Sequence, residues 1–223
     1  MWTIVHFFID YFTKRYNIVN ERSQMGKDTR EKILENALDM FANKGYEGTN
    51  IRELSNALGV SKGAMYRHYE SKEQLWDSVI SKVEVEYEKN IGSYKEMPEI
   101  PNSTDELKEL TLRMMSNSMH DPNLIKYRKM LVREQYKDEK TAILSDQYFL
   151  TNILDIYKEI FKGMMEKKLL RQDDYEILAL EYSATIGALI HQKDRFPYKE
   201  EEIIQRGTSY IDHFIKMYKY KEE

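Results

Sequence analysis

Apolar residues recur at Ile33, Leu34, Ala37, Leu38, Phe41 and Ala42. That spacing lines one face of a helix. Asp28, with Glu31 three residues on, is the predicted cap at its start, and Gly45 is the left-handed residue that ends it. A short second helix is predicted from Ile51 to Leu58. Asn50 caps it, Glu53 completes the capping box, and Ile51, Leu54 and Leu58 are its buried stripe. Gly59 stops it. Ser61 then caps a third helix, from Lys62 to about Tyr69. Ser71 and Gln74 form a capping box for a fourth over 71–91, with Leu75, Val79, Ile80, Val83 and Tyr87 facing inward.

Residues 92–102, GSYKEMPEIPN, read as the one clear linker. Ser103 and Glu106 open a helix through Met119, and Asp121-Pro122 caps and starts the next. Further helices are predicted over 143–169, 174–191 and 199–220, the middle one capped by Asp173 with Glu176. No alternating strand pattern runs longer than a few residues. The pattern therefore predicts an all-α fold of about nine helices: three short ones in residues 25–70, and a larger helical domain over 71–223.

Composition agrees. The 223 residues contain 9 Gly and 4 Pro, too few breakers for a turn-rich fold. The absence of cysteine excludes disulfides, thiol nucleophiles and Cys-based zinc sites. No metal or other cofactor is expected. No run of about twenty apolar residues offers a membrane span, and a cytoplasmic location is expected. The net charge of −4 means that any nucleic-acid contact must come from a local basic cluster.

Residues 1–24 allow two readings. Glu21-Arg22-Ser23-Gln24-Met25 can be encoded as GAA AGG AGT CAA ATG, which places a ribosome-binding-type AGGAG just before a start at Met25. Alternatively, Ile4, Val5, Phe8, Ile9 and Phe12 form the buried stripe of an additional helix.

Residues 59–63, GVSKG, match the G-x-S-x-G nucleophile elbow. An elbow needs a strand before it, and here a helix precedes it. His68 is also two helical turns from Ser61, about 10 Å of rise, too far to act as its base. No catalytic constellation is expected, and the chain is not read as an enzyme. The same stretch suits a helix-turn-helix, with Gly59 turning the chain, Val60 filling the gap and Ser61 capping the second helix. Spacing alone favours an ordinary corner between two helices, since short helix pairs are common.

The wider stretch 29–75 carries more. It contains A-x-x-x-F-x-x-x-G-Y (Ala37, Phe41, Gly45, Tyr46), Thr49 before the second helix, G-V-S-x-G-x-M-Y-x-H-Y and S-K-E-x-L. These residues resemble the DNA-binding domain of TetR-type transcriptional repressors. The family usually has Phe at the position of Tyr69. The resemblance implies a dimeric repressor that binds a palindromic double-stranded DNA operator and answers to a small-molecule inducer. An activator, or a DNA-binding protein without a ligand, is the alternative. By this resemblance Thr49, Tyr66, His68 and Lys72 stand where the family contacts phosphates. Lys62, Gly63, Ala64 and Arg67 stand where it meets bases or the adjoining backbone. Met65 faces the small core, and packing is the alternative role for His68. From Ser61 to Lys72 the charges are Lys62, Arg67 and Lys72 against Glu70.

The resemblance also divides the second half. The region 103–169 would hold the inducer, with Met114, Met115, Met119, Tyr127, Met130, Tyr148, Phe149, Tyr157 and Phe161 as candidate cavity walls. Methionine suits adaptable apolar pockets, though plain core is the alternative for each. Arg133 and Glu134 either pair or face the ligand. The last two helices would form a homodimer interface through Ile177, Ala184, Gly187, Ala188, Ile203, Tyr210, Ile211 and Phe214. Inducer binding would move the fourth helix and change the spacing of the two reading heads.

Overall fold

The computed structural model describes residues 28–95 and 99–221, the side chains of 86–95 excepted. The two readings of residues 1–24 and the inward face of Tyr87 lie outside the described residues. The fold is all-α. Its helices are α1 (residues 28–48), α2 (Ile51–Ala57), α3 (Lys62–His68), α4 (Lys72–Lys95), α5 (Thr104–His120), α6 (Pro122–Glu134), α7 (Glu139–Asp146), α8 (Asn152–Glu166), α9 (Tyr175–Arg195) and α10 (Glu200–Tyr218). Two compact units divide at Lys82 and Val83, inside α4.

In the first unit, the predicted α1 face is buried at Ile33, Ala37, Leu38, Phe41 and Ala42. Asp28 is already helical and so is not the cap. Gly45, at φ 74, takes the left-handed conformation expected of it, but α1 does not end there and runs on to residue 48. Trp76 of α4 meets Phe41 edge-on at 4.9 Å and Tyr46 at 5.4 Å, so three aromatic rings lock α4 onto the end of α1. Asn50 caps α2 by accepting from the Arg52 amide. Glu53 pairs with Lys44 rather than closing a capping box.

In the second unit, Ser103 caps α5 and Asp121 caps α6, as the sequence predicts. The helix expected over 143–169 is instead two. Capped by Asp138, α7 begins at Glu139, four residues earlier, a π-helical turn at Gln147–Thr151 follows, and α8 ends at Glu166. Lys168 at φ 55 ends α8, with the Lys168 amide donating to Met165 O and the Leu169 amide to Met164 O. Asp174, not Asp173, caps α9, accepting from the Glu176 and Ile177 amides. The helix α4 runs through Lys95, into the stretch read as linker.

The core of this unit is aromatic. Tyr157 and Phe161 of α8, Tyr182 of α9 and Phe214 of α10 stack within 4.6–5.6 Å of one another along the series. The Tyr157 and Tyr182 hydroxyls both reach Thr111 Oγ1, at 3.1 and 2.9 Å, while Thr111 lies 2.9 Å from Leu107 O. Three buried hydroxyls thus satisfy one another where an unmade bond would be costly.

Candidate functional site

Two places in the fold hold the candidate functional residues: the surface of α3 in the first unit and a cavity in the second.

The approach to α3 is built by local chain chemistry. The Gly59 amide donates to Asn56 O at 3.1 Å and the Val60 amide to Ser55 O at 3.0 Å, the paired bonds of a Schellman closure. Gly59 sits at φ 64, which glycine adopts without a Cβ penalty. Ser61 Oγ then accepts from the Ala64 amide at 3.1 Å and fixes the first turn of α3. Met65 is buried and anchors the opposite face. The chain's only apparent elbow serine is therefore a cap.

Lys62, Gly63, Tyr66 and Arg67 are exposed, and Ala64, His68 and Lys72 are half-buried. Lys62 Nζ lies 5.6 Å from the Tyr66 ring centroid, and Lys72 Nζ lies 4.4 Å from that of Tyr46. Both lysines are steadied by an aromatic face while keeping charge at the surface. A Cβ added at Gly63 would meet nothing nearer than Ser61 Oγ at 4.0 Å. Nothing inside the protein therefore demands glycine there. Glycine costs a helix about 1 kcal/mol relative to alanine.

Thr49 departs from the surface role that the resemblance implies, and Tyr69 keeps the packed ring expected of it. Thr49 is buried, and its hydroxyl donates to Gly45 O at 2.7 Å. It ties the end of α1 to the start of α2 instead of presenting a hydroxyl to an outside group. Tyr69 is buried too, and Arg30 Nε donates to its hydroxyl at 3.3 Å. Burial raises the Tyr69 pKa, so the phenol stays protonated. Arg30 thus supplies the partner that a tyrosine needs where the family usually has Phe.

The cavity lies in the second unit, among α5, α6, the π turn, α8 and α9, with a volume of about 490 Å³. That is within the range of small-molecule sites. Met114, Met115, Tyr148, Phe149 and Tyr157 line it as expected. The π turn is what brings Tyr148 and Phe149 there, an instance of π-helical geometry reshaping a helix at a site. Met119, Tyr127, Met130 and Phe161 do not line it. They are fully buried between helices, where packing rather than a cavity claims their side chains. Arg133 and Glu134 are not among its walls either.

The sequence reading missed the cavity's polar residues. Arg128 is buried and bidentate to Asp194, at 2.5 and 3.0 Å, and donates to Ser118 Oγ at 3.0 Å. His120 reaches Glu200 at 2.9 Å and Ser116 O at 2.8 Å, and these partners raise its pKa. His191 packs on Phe149 at 4.7 Å, and burial, then the Arg128 charge, lowers its pKa. Arg128 and Asp194 stand 66 residues apart, a pairing no local pattern signals.

The residues expected at a dimer interface divide in two. Ile203, Ile211 and Phe214 are buried within the unit, on the face of α10 that meets α5 and α9, and Gly187 lines the cavity. Ile177, Ala184 and Ala188 are exposed with Leu180, at helical spacing on α9, and Tyr210 is half-buried.

Comparison with known proteins finds a likeness in the first unit. Residues 33–79 match the family model described as bacterial regulatory proteins, tetR family. The biofilm operon icaADBC HTH-type negative transcriptional regulator IcaR of Staphylococcus epidermidis is 36% identical over 47 residues, which are 21% of this chain and 25% of that protein. Over residues 33–79 the chain is similar to the DNA-binding region of the tetR family.

The chain spans about a quarter of the length of the curated relatives it matches. Solved tetR-like structures extend the likeness of fold. The SmeT–triclosan complex has a TM-score of 0.65 at 18% identity, covering 87% of this chain and 93% of its own. A transcriptional regulator from Saccharomonospora viridis in complex with choline also has 0.65, at 17% identity, covering 88% and 100%. These two share the fold of both units, and each was solved with a small molecule. Among the described residues no helix is long and apolar enough to cross a membrane.

Proposed function

We propose that this protein is a DNA-binding transcriptional repressor of the tetR type. It binds a palindromic operator as a homodimer and releases it when a small molecule occupies the cavity of the second unit. The observation that carries the DNA-binding reading is Gly63. It is exposed in the first turn of α3, internally unconstrained, and flanked by Lys62. In a helix-turn-helix the first turn of the second helix approaches base edges in the major groove, where a missing side chain allows close contact. Lys62 and Arg67 supply donors for bases or backbone, and Tyr66, His68 and Lys72 supply donors for phosphates. Thr49 acts behind them, by fixing the junction of α1 and α2.

One small helix buries too little DNA for a tight specific complex, which favours two copies. The exposed stripe Ile177, Leu180, Ala184, Ala188 on α9 is the apolar face available for that pairing. The cavity favours a ligand-responsive repressor over a ligand-independent DNA-binding protein. Coupling requires that the ligand favour the state that cannot bind the operator, since equal affinity would shift nothing. Relatives named as regulators give no reason to expect enzymatic chemistry.

Footprinting on the intergenic DNA that flanks the gene tests the reading. Two protected half-sites with dyad symmetry, about 34 Å apart centre to centre, are expected. A single unsymmetric footprint, or none, contradicts it.

A further inference from the structure

Besides Tyr148 and Tyr157, whose hydroxyls reach Leu124 O and Thr111 Oγ1, the cavity's titratable side chains are His120, Asp121, Arg128 and His191, and of these four the first three are paired within the protein. Arg128 gives two bonds to Asp194 and one to Ser118. His120 lies between Glu200 and Ser116 O, with both ring nitrogens facing acceptors. Asp121 Oδ1 holds the Asn123 and Leu124 amides at 2.8 and 3.0 Å.

His191 is different. Its ring stacks edge-on against Phe149, but its nitrogens hold no hydrogen bond among the described residues. No fully buried polar side-chain atom among the described residues lacks a partner, so these nitrogens keep solvent access on a residue that lines the cavity. Met114, Ile153, Ile156 and Ile190 are among the cavity's apolar walls, and Ser116, Asn117, Ser118 and Ser183 are on its lining too.

We propose that the cavity takes a neutral, largely apolar molecule bearing a hydroxyl group, and that His191 is the residue that binds the hydroxyl. The proposal rests on the reading of the cavity as a ligand site. An anion would have to draw Arg128 from Asp194 and leave that buried carboxylate uncompensated. A cation would meet the Arg128 charge and the burial that already hold His191 neutral. A neutral imidazole carries one donor and one acceptor, so it can serve a hydroxyl in either direction.

Calorimetric titration of the full chain with three ten-carbon probes separates the classes: 1-decanol, decanoate and decyltrimethylammonium, each below its micelle threshold. The expected result is that 1-decanol binds about tenfold or more tightly than either charged probe. His191→Leu should lose about tenfold for 1-decanol, while His191→Gln, which keeps a donor and an acceptor, should stay within about threefold. A packing role for His191 would give the reverse order, with Leu the better replacement. Equal or tighter binding of a charged probe, or wild-type affinity in His191→Leu, overturns the proposal but leaves the cavity a ligand site. Binding of none of the three overturns both.

Discussion

A Cβ placed on Gly207 of α10 would stand 2.8 Å from Cε of Met115 on α5. Gly207 is buried, and Met115 is a wall of the cavity. The terminal methyl of methionine is flexible, so it would yield toward the cavity space. Gly207→Ala should therefore shrink the cavity more than it harms the fold. Overpacking costs about 1–3 kcal/mol and the helix gains about 1 kcal/mol from alanine, so net stability should fall by no more than about 2 kcal/mol. Affinity for 1-decanol should fall several-fold, about tenfold at most. Calorimetry and a melting curve on the same variant check both.

Gly63→Ala should separate stability from function. The site has open space and an ordinary helical φ, so alanine should stabilise the first unit by about 0.5–1 kcal/mol. Operator affinity should nevertheless drop, because the added methyl enters the surface that meets DNA. Chemical denaturation and a gel shift report the two effects independently.

Tyr69→Phe tests why this chain keeps a tyrosine in the first unit. The ring is buried and would still pack, but Arg30 loses its acceptor. A loss of about 0.5–1.5 kcal/mol is expected in urea unfolding. Arg30→Met should cost a similar amount, and the double variant less than the sum, since both remove one contact.

The His120–Glu200 pair predicts a direction with pH. Glu200, then the Ser116 carbonyl, raises the folded-state pKa of His120. Its contribution is therefore fully present below the unfolded value near 6.5 and lost as pH rises through the higher folded value. Burial lowers the pKa of His191, so its effect runs the other way, with stability lost as pH falls below about 6.5. His120→Gln should thus flatten the decline in melting temperature on the alkaline side of 6.5, and His191→Gln the decline on the acid side.

Local chemistry was legible in the sequence where a few adjacent residues decide the structure. The turn at Gly59 and the caps Asn50, Ser61, Ser103 and Asp121 follow from side chains that bond within three residues. Asp173 and Asp174 are adjacent, and only the entry angle of the chain selects the second. Which methionine faces a cavity was not legible. Met115 and Met119 lie one turn apart on the same face of α5, yet one lines the cavity and the other is sealed beneath α9 and its neighbours. The face of α10 was visible from its period, but not whether that face meets its own unit or another chain. Ile203, Ile211 and Phe214 meet their own unit. The polar side of the cavity was hidden because Arg128 of α6 and Asp194 of α9 are brought together only by the tertiary fold.

The central claim is that the first turn of α3 reads DNA. Fluorescence anisotropy with a labelled duplex from the flanking intergenic region tests it most directly, comparing the wild-type protein with Lys62→Ala at fixed salt. The exposed Lys62 side chain should contribute little to folding. The account predicts that the variant keeps its melting temperature and loses about tenfold or more in affinity for that duplex, with less change on unrelated DNA. A folded Lys62→Ala protein that binds the duplex as tightly as wild type would contradict it.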